Sequence, residues 1–165
     1  MAHLLVSDTS VLIDLERGSV LRATFQLPTP LAVPDLLYER ELRQSNGELL
    51  LGLGLKKLSL DERGMRLAQD YIRRVPALSV PDAFAMALAK QDAHVLVCGD
   101  RALRELATAE RVECHGVLWV LDQILEARIL SGPQLAIALK TIAEHPRSRL
   151  PKTTVAEHLV RYQKT

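Results

Sequence analysis

The sequence predicts an α/β fold: a three-layer α/β/α sandwich around a central, mostly parallel sheet, with a C-terminal helical extension. Three observations carry this. Short apolar runs alternate with amphipathic helical segments from Ala2 to Cys114, the pattern of a parallel sheet with helices on both faces. After Gly116 the apolar spacing is helical only. Only 4% of the residues are aromatic against 48% hydrophobic, so the core must be built from Leu, Val, Ile and Ala. The chain has 165 residues, which suits one α/β domain, 1–117, and an extension, 118–165, packed on it or at a dimer interface.

Residues 2–7 read as the first strand, and a helix started by Thr9 or Ser10 runs to near Gly18. Val20 to Phe25 is helical and ends before Leu27-Pro28-Thr29-Pro30, which cannot continue a helix. Leu31-Ala32-Val33 is the second strand. Pro34 then opens a helix over Asp35 to Arg43, with Leu37, Tyr38, Glu41 and Leu42 on one face and Asn46-Gly47 as its stop. Leu49 to Leu55 has no clear period. Leu55 to Leu60 reads as an edge strand with Lys56 and Lys57 outward. Asp61 to Val75 is a helix facing inward through Leu67, Ala68, Tyr71, Ile72 and Val75. Pro81-Asp82 opens a helix apolar on every side, hence buried. Residues 94–98 form a strand, 101–108 a helix, and Val112-Glu113-Cys114 a last strand. Helices follow over 117–128, from Ser131, and over 154–162, the last of them loosely packed or swapped onto a partner.

A formal net charge of +1 excludes a global basic field, so any nucleic-acid contact must be local. Cys98 and Cys114 belong to no Cys/His cluster and read as buried free thiols in a reducing compartment. No basic segment followed by a long apolar run opens the chain, and no run of about 18 apolar residues occurs. A cytoplasmic protein without a membrane span is expected.

Four acids stand where polar residues are least expected. Asp8 and Asp100 each end an apolar strand, and in open α/β sheets ligands gather outside the carboxyl ends of parallel strands. Asp82 opens the apolar helix, and Glu41 or Glu39 lies on the helix after the second strand. Each has an ordinary alternative: Asp8 an N-cap, Asp82 a first-turn acid, Asp100 a surface cap, Glu39 and Glu41 solvated charges paired with Arg40 or Arg43. Together, however, several buried carboxylates need a cation, and an oxygen-only set favours Mg²⁺ or Mn²⁺ over zinc. Such an ion activates water and stabilises displacement at phosphorus, which suggests phosphodiester hydrolysis.

Leu4 to Val117 resembles a PIN domain, the nuclease fold of many VapC-type toxins. The matching pieces, in the family's order, are Val6 to Ile13, Val33 to Leu42, Pro81 to Ala89 and Leu96 to Leu103. The resemblance implies an acidic metal site of Asp8, Asp82, Asp100 and Glu41, with Glu39 as the alternative to Glu41. It implies Ser10 as a supporting residue beside Asp8. It further implies single-stranded RNA as substrate, a role as the toxin of a toxin–antitoxin pair with a small antitoxin partner, and a homodimer. Two departures stand out. The spacing from Pro34 to Glu41 is one residue longer than the family's. Ala102 and Leu103 also stand where a further acid often follows the last aspartate. That second departure motivates a competing reading, a catalytically weak or inactive binding or assembly domain. A further reading, an Asp-nucleophile phosphatase of the haloacid dehalogenase type, wants an acid two residues after Asp8, where Ser10 stands.

Overall fold

The computed structural model describes residues 3–165. Ala2, the first residue of the expected opening strand, lies outside them. The chain divides into two compact units, 1–11 with 28–116, and 12–27 with 117–165.

The first unit holds a five-stranded, all-parallel sheet in the order β3-β2-β1-β4-β5. The strands are β1 (Leu5–Ser7), β2 (Leu31–Pro34), β3 (Lys56–Leu58), β4 (Val95–Val97) and β5 (Cys114–His115). Each is short, and β1, in the centre, is fully buried. This is the three-layer α/β/α arrangement. From β1 the chain moves outward to β2 and β3, then returns past β1 to β4 and β5. With right-handed crossovers, this reversal of direction sets the helices between β2 and β3 on the face opposite those between β3 and β5. Lys56 and Lys57 are exposed on β3, an edge strand whose charges oppose pairing with another sheet.

Helix α1 (Thr9–Arg17) follows β1, and α2 (Leu21–Thr24) comes before β2. After β2 come α3 (Asp35–Leu37), a π turn over Tyr38–Leu42, and α4 (Gly47–Leu53). Two expectations change here. The aperiodic stretch Leu49–Leu55 is mostly helix α4, which buries Leu50 and leaves Leu49 exposed. The single helix over Asp35–Arg43 is interrupted, because the Arg43 N–H bonds the Tyr38 carbonyl five residues back at 2.8 Å. A π turn takes in one residue more than an α turn. Tyr38 and Leu42 stay buried while Glu41 turns out of their face.

Between β3 and β4 lie α5 (Glu62–Arg74) and α6 (Val80–Gln91). Asp61 caps α5 by accepting the Gly64 N–H at 2.7 Å. Ser79 caps α6, which buries Ala83, Ala85, Met86, Ala87, Leu88 and Ala89 across β1, β2 and β4. Small residues let this helix lie close to the sheet. Helix α7 (Arg101–Ala109) joins β4 to β5.

In the second unit, α8 (Val117–Glu126), α9 (Gly132–Glu144) and α10 (Lys152–Gln163) follow one another. Helix α9 opens with a capping box between Ser131 and Gln134. The last helix, expected to pack loosely or swap onto a partner, is held within this chain. It packs on α9, Tyr162 is fully buried, and Asp122 of α8 accepts from the Tyr162 hydroxyl at 2.6 Å and Arg161 at 2.9 Å. The His158 ring nitrogen Nε2 lies 3.3 Å from the same carboxylate. Asp122→Ala leaves the buried Tyr162 hydroxyl unpaired and should cost about 1–3 kcal/mol, read by urea denaturation. An unchanged midpoint would show that apolar packing alone holds α10. No helix of the described residues is long and apolar enough to cross a membrane.

Candidate functional site

Three helices begin at the carboxyl edge of the first unit's sheet. Helices α1 and α7 start directly after β1 and β4. Helix α6 runs back toward the start of β4, so its own first turn lies at that edge. Asp8 precedes α1, Asp82 sits in the first turn of α6, and Asp100 caps α7. Helix N-termini present free N–H groups and a partial positive charge, so each carboxylate is locally favoured there.

Asp8 is buried and held on both oxygens. Oδ1 accepts the Val11 N–H at 2.8 Å and Oδ2 the Gly99 N–H at 2.9 Å, while the Ser10 hydroxyl lies 2.9 Å from each. The Gly99 bond comes from 91 residues away and exists because β1 and β4 are neighbours in register, Ser7 beside Val97. Burial pushes the Asp8 carboxyl up; the Val11, Gly99 and Ser10 bonds oppose this, and nearby Asp100 adds to it. Asp100 Oδ2 accepts the Leu103 N–H at 3.0 Å.

Asp82 is raised as well. Burial first, then the charges of Asp8 and Asp100, push it up to about 7, with Glu41 adding to the rise and Ser79 opposing it. A carboxylate that feels three other acids belongs to one electrostatic cluster with them. Glu41 joins through Thr9, whose hydroxyl donates to Glu41 Oε1 at 2.8 Å. Glu39 faces elsewhere, paired with Arg43 at 2.9 Å and Lys57 at 3.5 Å.

The ordinary and the chemical readings of Asp8 and Asp100 therefore coexist, since both cap helices and both belong to the cluster. Among the described residues no three His, Cys, Asp or Glu side chains stand within joint reach of one ion. The donor set itself fits a hard divalent cation: it is all oxygen, and the burial and the repulsion that raise Asp82 are what a cation offsets.

Two supporting groups had no signal in the sequence. Thr9 is an ordinary first-turn residue until the π turn brings Glu41 to it, and Gly99 reaches Asp8 only through strand order. Of the basic residues beside the site, Arg101 pairs with Glu105 at 3.0 Å, and Arg104 acts electrostatically on Cys98 and Cys114. A cleft of about 350 Å³ with Arg63, Lys90, His94 and Arg111 in its walls opens at the opposite edge of the strands. Of these, Lys90 Nζ donates to the Glu110 carbonyl at the C-terminal end of α7 at 2.8 Å.

Gly99 offers a direct test of the support around Asp8. A Cβ there would lie 2.6 Å from Ser10 Oγ, a movable side-chain end. Gly99→Ala should change stability by less than about 1 kcal/mol while turning Ser10 off Asp8. Any metal-dependent activity should then fall about tenfold. Full activity in that variant would remove Ser10 from the supporting set.

No curated protein and no solved structure matches this chain. A family model described as a PIN domain matches residues 4–164, the C-terminal helices included. With acids delivered by β1, β4 and α6 to one edge of an all-parallel sheet, the chain belongs to the PIN-domain family, a nuclease fold.

Proposed function

We propose that this protein is a metal-dependent endoribonuclease that hydrolyses phosphodiester bonds of single-stranded RNA. Its acidic set is Asp8, Glu41, Asp82 and Asp100. The observation that carries the reading is the placing of Asp8, Asp82 and Asp100 at one edge of an all-parallel sheet, where burial first and then the neighbouring acids raise Asp82. These four residues would hold Mg²⁺ or Mn²⁺, which supplies an activated water and charge neutralisation at phosphorus when bound. Ser10 and the Gly99 N–H orient Asp8, and Thr9 orients Glu41. Glu39, engaged by Arg43 and Lys57, is the weaker choice for the helix glutamate.

The four acids lie within 1–117, the proposed nuclease domain, and 118–165 is proposed as the extension. We include in the proposal a cytoplasmic toxin paired with a small antitoxin, and a homodimer. Free thiols suit a reducing compartment, and exposed Ile137 and Val160 on α9 and α10 offer apolar surface for a second copy. Sedimentation of wild type against Ile137→Asp tests the dimer, and a short gene directly upstream would support the antitoxin. The second reading is a non-catalytic binding domain. Ala102 and Leu103 in place of a further acid favour it, as does the absence of three jointly placed ligands among the described residues.

The deciding experiment is cleavage of single-stranded RNA with Mn²⁺ or Mg²⁺, with and without EDTA, by wild type, Asp8→Asn and Asp100→Asn. Ion-dependent cleavage lost in both variants supports the proposal. Cleavage that persists in EDTA or in the variants overturns it.

A further inference from the structure

Cys98 and Cys114 are the two cysteines of the chain, and both are free. Cys98 directly follows β4 and Cys114 opens β5. The register pairs Leu96 with Cys114 and Val97 with His115, so the two thiols lie on one face of the sheet as diagonal neighbours. Their sulfurs are 3.0 Å apart. A disulfide needs about 2.05 Å, so roughly 1 Å of closure separates the pair from a covalent bond. Cys98 directly follows β4, so closing that gap pulls on the end of the strand. That end continues into Gly99, whose N–H holds Asp8, and Asp100, which caps α7.

We propose that Cys98 and Cys114 form a redox modification site. A peroxide-class oxidant joins them in an intrachain disulfide, which shifts Gly99–Asp100 off Asp8 and lowers the activity of the acidic site. The effect on activity rests on the nuclease reading; the disulfide and the shift do not.

Cys114 is the entry point, being half-buried where Cys98 is fully buried. The Cys98 hydrogen bond and the nearby Arg104 guanidinium hold the Cys114 thiol below its ordinary range. The Cys114 thiolate attacks one oxygen of hydrogen peroxide. The O–O bond breaks, hydroxide leaves and takes up the proton the thiol lost, and Cys114 becomes a sulfenic acid. Cys98 sulfur then displaces the sulfenic hydroxyl, which departs with the Cys98 proton as a second water. Two thiols lose two hydrogens and two electrons, and the peroxide is reduced to two waters. Cytosolic disulfides of this kind are transient and redox-sensing, and thiol reductants reverse them.

The test treats the reduced full chain with hydrogen peroxide, then with dithiothreitol. The expected product migrates as a monomer without reductant, has lost both reactive thiols and two hydrogens of mass, and regains them with dithiothreitol. Hydrogen exchange at the Gly99 and Leu103 amides should rise on oxidation in wild type and stay unchanged in Cys114→Ala. RNA cleavage should fall roughly 10–100-fold on oxidation, as expected when a carboxylate loses its orienting bond, and not in Cys114→Ala. Retained thiols, a sulfinic acid at Cys114, or a chain-to-chain disulfide overturns the modification site. A disulfide that leaves the Gly99 amide unmoved overturns the switch. If the reduced wild type cleaves no RNA, the nuclease reading fails, while mass and exchange still judge the cysteine pair.

Discussion

Asp82→Asn is expected to yield a protein that is more stable and catalytically silent. Asn keeps the shape of the side chain and its place after the Ser79 cap, so helix α6 starts as before. It removes a charge whose burial, with Asp8, Asp100 and Glu41 nearby, holds the carboxyl at about 7. The position is partly open to solvent, which screens some of the repulsion, so the gain is modest. A rise of about 2–4 °C in Tm corresponds to roughly 1 kcal/mol in a chain of this size. Mn²⁺-dependent RNA cleavage should drop about 100-fold or more, if the proposed metal site loses one of its carboxylates. Opposite signs in stability and activity mark a functional site. A variant that loses stability and keeps activity would make Asp82 a structural first-turn acid.

The same carboxylate sets a pH dependence for metal binding. Its folded-state pKa of about 7 lies above the ordinary 3.8, so between those values the folded protein holds more protons than the unfolded one. Stability from this group is therefore complete below about pH 4 and declines as pH rises through about 7. Asp8, raised by burial, acts in the same direction. Mn²⁺ must displace these protons, so its binding should tighten about tenfold per pH unit below about pH 7 for each proton released. At a concentration of about 100 Kd the ion should add roughly 2.7 kcal/mol of stability at neutral pH, and EDTA should remove it. Calorimetry in two buffers of different ionisation enthalpy measures the protons released. Asp82→Asn should release fewer. Mn²⁺ binding with no pH dependence would separate the ion from this cluster.

What the residues alone determined was local. Val6 and Leu96 belong to apolar runs that end at polar positions, so β1 and β4 and the acids behind them were legible. So was α6, because a helix without a polar face has to be buried. Lys56 and Lys57 marked the edge strand, and Ser131 with Gln134 the start of α9. Each of these depends on neighbours within a turn or a strand pair of residues.

The tertiary structure decided whatever depends on partners distant in sequence. Strand order made Gly99 a ligand to Asp8 across 91 residues. The π turn let Thr9 meet Glu41, and the neighbouring strand brought Lys57 to Glu39, whereas the Glu39–Arg43 pair is a local one that helical spacing already offers. Asp122 tied down α10, which periodicity left free. Spacing encodes which side of an element is buried. Which far-off group fills that side follows only once the sheet order and the irregular turns bring the elements together.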